Sequence, residues 1–266
     1  MEKLSLCDLN ILLVEPSDTQ RKIIAALLLK ENVKEIDAVS SVSEAKAALK
    51  SITADLVVSA MYFEDGTGLD LIQSIKASPQ TASIPFMLIS SENRLAKLEQ
   101  FKQSGVAAIL PKPFDPQHLS RALGASLDLI NTDELELDLF DVQDVRVLLV
   151  DDSKLARNHI RRVLEGMGLR KITEAENGAE ALTHLKDKGF DLVVTDYNMP
   201  EMDGRELSEF IRFNESTSHI PIVMVTSEAA DSAHMTNIQQ TGVNALCDKP
   251  FEPTEVRAML AALLGE

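Results

Sequence analysis

The chain contains the same stretch of sequence twice. DLVVSAMYFEDGTGLDLI begins at Asp55 and DLVVTDYNMPEMDGRELSEFI at Asp191, an offset of 136 positions. The same offset relates ILLVEPS at Ile11 to VLLVDDS at Val147, PFMLISSE at Pro85 to PIVMVTSE at Pro221, and LPKPFDP at Leu110 to CDKPFEP at Cys247. Two copies of one fold are therefore expected. They differ at a telling place: Asp196 ends an apolar run in the second copy, and Ala60 stands there in the first. The pattern points to one working site and one retained scaffold.

Each copy alternates short apolar runs with amphipathic stretches. In the second, RVLLV (146–150) predicts a strand, and Ala156, Ile160, Val163, Leu164 and Met167 follow at helical spacing until Gly168 closes the helix. Strands are expected at 171–175, 191–195, 221–226 and 244–248. Helices are expected at 179–185, 203–213 and about 231–240. A last helix starts with Pro253 in its first turn and carries Val256, Met259, Leu260 and Leu263 on one face. Five β-α units with continuous apolar strands imply a parallel sheet covered on both faces. The first copy repeats this order and ends near Asn131. With 266 residues, each copy is long enough to bury its own core. The expected domains are 1–131 and 145–266. Between them, TDELELDLFDVQD (132–144) reads as an acidic linker. It either continues the preceding helix or docks through Leu135, Leu137, Leu139 and Phe140; having no Gly or Pro, it need not be floppy.

A net charge of −16 argues against nucleic-acid backbone binding as the main activity. Cys7 and Cys247 lie at non-equivalent places without metal-ligand spacing, so both read as free thiols in a reducing compartment. No apolar run reaches membrane-spanning length and the N-terminus lacks a signal-peptide core, which makes a cytoplasmic location the expectation and a membrane partner not.

In a doubly wound sheet the C-terminal strand ends form the ligand crevice. Asp151 and Asp152 follow the first strand of the second copy, Asp196 ends the third, Thr226 the fourth and Lys249 the fifth. Carboxylates gathered there would raise one another's pKa unless a cation sat among them. A hard divalent ion, Mg²⁺, is the natural solution. With a lysine charge and a threonine hydroxyl nearby, such a site suits a transferring phosphoryl group attacked by a carboxylate.

VLLVDDS, VVTDYNMPEMDG, VMVTSEA and DKPF together resemble the response-regulator receiver domain, and the second copy is especially similar to single-domain chemotaxis receivers of the CheY kind. The resemblance covers nearly all of 145–266. It implies two flavodoxin-like domains. It also implies that Asp196 takes phosphate from a histidine kinase or phosphotransfer protein, and that Asp152, Asp196 and the Asn198 carbonyl ligate Mg²⁺, with Asp151 acting largely through water. Thr226 and Lys249 would meet the acyl phosphate, and Lys249–Pro250 would be cis. Asn198 and Glu228 would tune a phosphate lifetime of seconds to minutes. Leu246 departs from the family's usual aromatic residue on the fifth strand, and Tyr197, beside the phosphoacceptor, is expected to point elsewhere.

The matching positions of the first copy are Glu15, Pro16, Ala60, Ser90 and Lys112. Nucleophile and one metal acid are gone, so a pseudo-receiver is expected, with Lys112 paired to Glu15. Asp65 aligns with Glu201, and Ser59 with Thr195; neither is a good acceptor. The first copy's remaining use is a surface around its fourth helix, fifth strand and fifth helix, meeting either the second copy or a second chain as a homodimer. With no catalytic output segment in view, the chain reads as a two-component response regulator whose phosphorylation switches protein–protein docking. The alternatives are a regulatory fragment of a cyclic-di-nucleotide synthase and a phosphate sink for a kinase.

Overall fold

The computed structural model describes residues 4–92, 94–131, 135, 141–227 and 242–264. The chain divides into two compact units, Met1–Asn131 and Thr132–Glu266. In the first, the strands are β1 (Asn10–Val14), β2 (Glu35–Val39), β3 (Leu56–Ala60), β6 (Phe86–Ser90) and β7 (Ala108–Pro111). They form one parallel sheet in the order β2-β1-β3-β6-β7. The helices are α1 (Asp18–Lys30), α2 (Val42–Ala48), α3 (Gly68–Ala77), α4 (Leu95–Lys102) and α5 (Pro116–Ile130). A small antiparallel ribbon, β4 (Tyr62–Phe63) with β5 (Gly66–Thr67), lies between β3 and α3.

The second unit has β8 (Arg146–Val150), β9 (Lys171–Ala175), β10 (Leu192–Asp196), β11 (Ile222–Thr226) and β12 (Ala245–Asp248). Their order, β9-β8-β10-β11-β12, is the same as in the first unit. Helices α6 (Lys154–Gly166), α7 (Gly178–Asp187), α8 (Gly204–Phe213) and α9 (Pro253–Leu264) pack beside them. The helix expected at 231–240 falls outside the described residues. Both units are flavodoxin-like α/β domains.

The central strands are buried on both faces, as their unbroken apolar runs require. Successive side chains divide between two cores. In the first unit Ile11, Leu13, Val58, Met87 and Ile89 meet α1 and α5. Leu12, Val14, Val57, Phe86 and Leu88 face α2 and α3. Edge strands β2 and β9 are more exposed. In α9, Val256 and Leu260 of the expected apolar face are buried and Met259 and Leu263 partly so, while Leu264, outside that face, is buried as well.

Short caps fix where each strand hands over to its helix. Ser17 and Ser153 accept from the backbone N–H groups of Gln20 and Ala156, starting α1 and α6 directly after the strand-end acids. Thr67 with Asp70, and Asp203 with Glu206, form capping boxes at α3 and α8. The next residue in each case is a glycine pressed against the preceding strand end. A Cβ on Gly204 would stand 2.1 Å from the Asp196 carbonyl oxygen, and one on Gly68 2.6 Å from that of Ala60. Their N–H groups donate to Tyr197 O and Met61 O, each at 2.9 Å.

The acidic segment between the repeats is described only in part. Helix α5 stops at Ile130. Leu135 is buried and donates its N–H to Met167 O at 2.7 Å, so this residue packs with the second unit. Leu137, Leu139 and Phe140 lie outside the described residues.

Candidate phosphoacceptor site and its altered twin

Parallel strands deliver the polar residues of the second unit to one end of its sheet. Asp196 is the last residue of β10, and β10 lies between β8 and β11, so Asp151, Asp152 and Thr226 arrive from its two neighbours. Asp151, Asp152 and Asp196 each offer a carboxylate oxygen within 4.8 Å of the others. Asp151 and Asp196 are buried, while Asp152 is exposed. Lys249 follows β12 and is buried; its Nζ lies 3.0 Å from Asp151 Oδ2 and 2.9 Å from Asp196 Oδ2. Backbone N–H groups fix the other oxygens: Ser153 donates to Asp151 Oδ1 at 2.8 Å, and Tyr197 to Asp196 Oδ1 at 2.9 Å. Thr226 is fully buried, and its carbonyl accepts the Lys249 N–H at 2.7 Å.

Three acids against one lysine leave the cluster over-charged. Burial pushes the Asp196 carboxyl up to about 7, despite Lys249, with Asp151 adding to the rise. Burial also raises Asp151. Burial opposes the charge on Lys249, but the two acids outweigh it and the net shift is upward. A set of hard oxygen donors, two of them buried and short of positive charge, fits a divalent cation of the Mg²⁺ type.

Asn198 lies two residues past Asp196 in an exposed turn. Glu228 is outside the described residues. Lys249–Pro250 is cis, as is Lys112–Pro113. Tyr197, with Leu246 and Val243, packs against Met224, so the aromatic ring and the fifth-strand leucine share one apolar group.

The first unit keeps the frame and fills the pocket. Lys112 pairs with Glu15 at 3.0 Å, and its N–H donates to Ser90 O at 2.7 Å. Pro16 is exposed and offers no ligand. Ala60 is 8% exposed and Met61 6% exposed. Ser90 Oγ donates to Met61 Sδ at 3.3 Å and accepts from the Glu92 N–H at 3.0 Å. Thus an apolar thioether meets the hydroxyl at the position that matches Thr226. Lys97 donates to Tyr62 Oη at 2.6 Å, Tyr62 donates to Glu92 at 3.2 Å, and Arg94 bonds Glu92 at 3.0 Å. Asp65 caps α2, accepting from the N–H groups of Val42 at 3.0 Å and Ser43 at 2.8 Å. Ser59 is fully buried and donates to Ala60 O at 2.9 Å, as Thr195 does to Asp196 O at 3.0 Å.

A family model for the response regulator receiver domain matches residues 11–124 and again 147–261. The chain belongs to this family, twice over. It is a response regulator of two-component signal transduction with two receiver domains in tandem. Among curated relatives, chemotaxis protein CheY-3 of Vibrio cholerae serotype O1 is 36% identical over 118 residues, which is 44% of this chain and 90% of the relative. Chemotaxis protein CheY of Pseudomonas aeruginosa is 38% identical over 107 residues, 40% of this chain and 86% of that one. Among solved structures, a two-component system response regulator/GGDEF domain protein aligns at 23% identity and a TM-score of 0.44, covering 96% of this chain and 98% of that chain. The receiver domain of a sensor histidine kinase from Pseudomonas aeruginosa, solved with a magnesium ion in its active-site cleft, aligns at 27% identity and a TM-score of 0.43, covering 46% and 98%. Among the described residues no helix is long and apolar enough to cross a membrane.

Proposed function

We propose that the second receiver is the phosphorylated one, with Asp196 as acceptor, and that the first is a pseudo-receiver without this chemistry. The observation that carries the reading is the contrast at equivalent strand ends: Asp151, Asp152 and Asp196 around Lys249 in one, Glu15, Pro16 and Ala60 beside Lys112 in the other. The domain limits that go with it are 1–131 and 145–266, with 132–144 as linker.

Asp196 is the nucleophile. Its carboxylate oxygen attacks the phosphorus of a phosphohistidine on a histidine kinase or phosphotransfer protein. The P–O bond forms as the P–N bond breaks, and the electron pair returns to the imidazole. Asp152, Asp196 and the Asn198 carbonyl would hold Mg²⁺, with Asp151 acting through water. When bound, the ion offsets the charge of the transferring group. Lys249, already beside Asp196 Oδ2 at 2.9 Å, supplies a fixed positive charge to the phosphoryl oxygens. The Thr226 hydroxyl would donate to one of them. Beyond forming and losing its own acyl phosphate, the chain catalyses nothing in this reading. Its output is docking to a downstream protein in the cytoplasm.

Incubation of the full chain with acetyl phosphate and Mg²⁺, followed by intact-mass and peptide mapping, tests this. One base-labile, hydroxylamine-sensitive phosphate is expected, on Asp196 and lost in Asp196→Asn. Unchanged labelling of Asp196→Asn overturns the assignment.

A further inference from the structure

Arg157 lies on α6 with a side chain only 5% exposed, behind the acidic pocket rather than in it. Its guanidinium reaches three separate places. Nη1 donates to the backbone carbonyl of Asp151 at 2.5 Å, Nη2 to Glu176 Oε1 at 2.8 Å, and Nε to Glu174 Oε2 at 3.4 Å. Glu174 is held in turn by Arg161 Nε at 2.5 Å. The planar fork of an arginine can bind a carbonyl and two carboxylates at once; a lysine ammonium cannot hold that geometry.

The duplication supplies an internal control. Arg21 stands 136 residues earlier, and its Nη1 donates to the Glu15 carbonyl at 2.6 Å. The carbonyl contact is therefore common to both domains and belongs to the fold. The second half of the brace is not shared. Ala38 and Ser40 occupy the positions of Glu174 and Glu176, and Arg21 pairs instead with Asp18 of its own helix. The carboxylate brace occurs in the domain that keeps its acids.

We infer that Arg157, oriented by Glu174 and Glu176, is a positioning residue for the cation-binding acids, which ties the pocket to the edge strand β9 and the turn before α7. The inference rests on the proposed reading of Asp151, Asp152 and Asp196 as a Mg²⁺ site. Two rotatable bonds separate the Asp151 backbone from its carboxylate. A main-chain tilt at Asp151 therefore moves the oxygen that meets Lys249, and ångström-scale misplacement is enough to weaken a site of this kind.

The test is calorimetric titration of the full chain with Mg²⁺, run beside acetyl-phosphate labelling at varied Mg²⁺. Arg157→Lys should weaken Mg²⁺ binding about 10-fold, with most of the labelling rate recovered at saturating Mg²⁺. Glu176→Gln, at a side chain 70% exposed, leaves the fold in place and should weaken binding by a smaller factor in the same direction. Arg21→Lys should leave both readouts unchanged. Wild-type Mg²⁺ affinity in Glu176→Gln, or an equal loss in Arg21→Lys, overturns the inference. Because calorimetry reads the cation directly, a wild type that binds Mg²⁺ but takes no label at Asp196 refutes the phosphoacceptor reading and not this one.

Discussion

The two receivers solve the same packing problem around opposite pocket contents. In the second, a buried lysine faces two buried acids at 2.9 and 3.0 Å, and the acid excess raises Asp196 to about 7. In the first, the lysine meets a single acid at 3.0 Å, and Met61 lies against Ser90. One pocket is short of positive charge, and the other balances one acid with one lysine. The lysine, the cis proline turn, the serine cap and the glycine at the helix start are common to both. These features are common to both sheets, and the acids are what differ.

The sharpest way to break the comparison is to exchange the acceptor position. Asp196→Asn should abolish labelling, while Ala60→Asp alone should create none, because with Glu15 it makes only two acids, Pro16 still offers no third, and Met61 still occupies the Ser90 hydroxyl. Peptide mapping after acetyl-phosphate treatment checks both, and label on the first domain of Ala60→Asp would show that the difference is one residue deep.

Removing the lysines should hurt unequally. Lys249→Met strands two buried carboxylates, for an expected loss of about 3 kcal/mol near neutral pH, whereas Lys112→Met strands one acid beside a lysine 24% exposed and should cost about 1 kcal/mol. Denaturant unfolding of the full chain, with each domain followed by hydrogen exchange, measures the two losses. Equal losses would mean that the second pocket is no more strained than the first.

Acidity offers a third contrast. Folding raises the Asp196 pKa from 3.8 to about 7, so the native state holds this proton more tightly than the unfolded chain. Without cation, the second domain's stability should therefore fall as pH rises across that window, levelling above about 7. A Mg²⁺ concentration a hundredfold above the Kd at pH 8 should add about 2.7 kcal/mol there, and the same concentration should add less at pH 5, where Asp196 holds its proton. Two-transition calorimetry reads this, with the first domain as the transition that Mg²⁺ leaves in place.

The smallest expected effect concerns the thiols. Burial pushes Cys247 up to about 12, and it is 3% exposed, while Cys7 is half-buried. Iodoacetamide should modify Cys7 in the native chain and reach Cys247 only through opening of the second domain. Equal rates at pH 8 would contradict the burial of Cys247.

Much of this was legible because it is local or periodic. Apolar runs placed the five strands of the second unit to within a residue, the repeat offset carried their order to the first, and the strand-end rule put Asp151, Asp152, Asp196, Thr226 and Lys249 at one end of the sheet. The Lys112–Glu15 pair followed from the same alignment. What escaped depends on tertiary neighbours. Met61 aligns with Tyr197 and carries no charge signal, so its contact with Ser90 was invisible. Asp65 looked like a loop acid, but its carboxyl caps a helix 22 residues earlier in sequence. Arg157 reads as a solvent-facing residue of an amphipathic helix; its recurrence as Arg21 at the repeat offset was the available signal.

The glycines after β3 and β10 carry a consequence for genetics. Gly68 and Gly204 each press against the carbonyl that ends the preceding strand, and any side chain there would collide with main chain that has nowhere to go. A deep substitution scan scored by protein abundance should therefore mark Gly68 as intolerant as sharply as Gly204, although one follows a strand end that carries Ala60 and the other a strand end that carries Asp196. Lethality at such a position measures how closely a loop must fold back on its strand, and says nothing about whether a phosphate was ever meant to arrive.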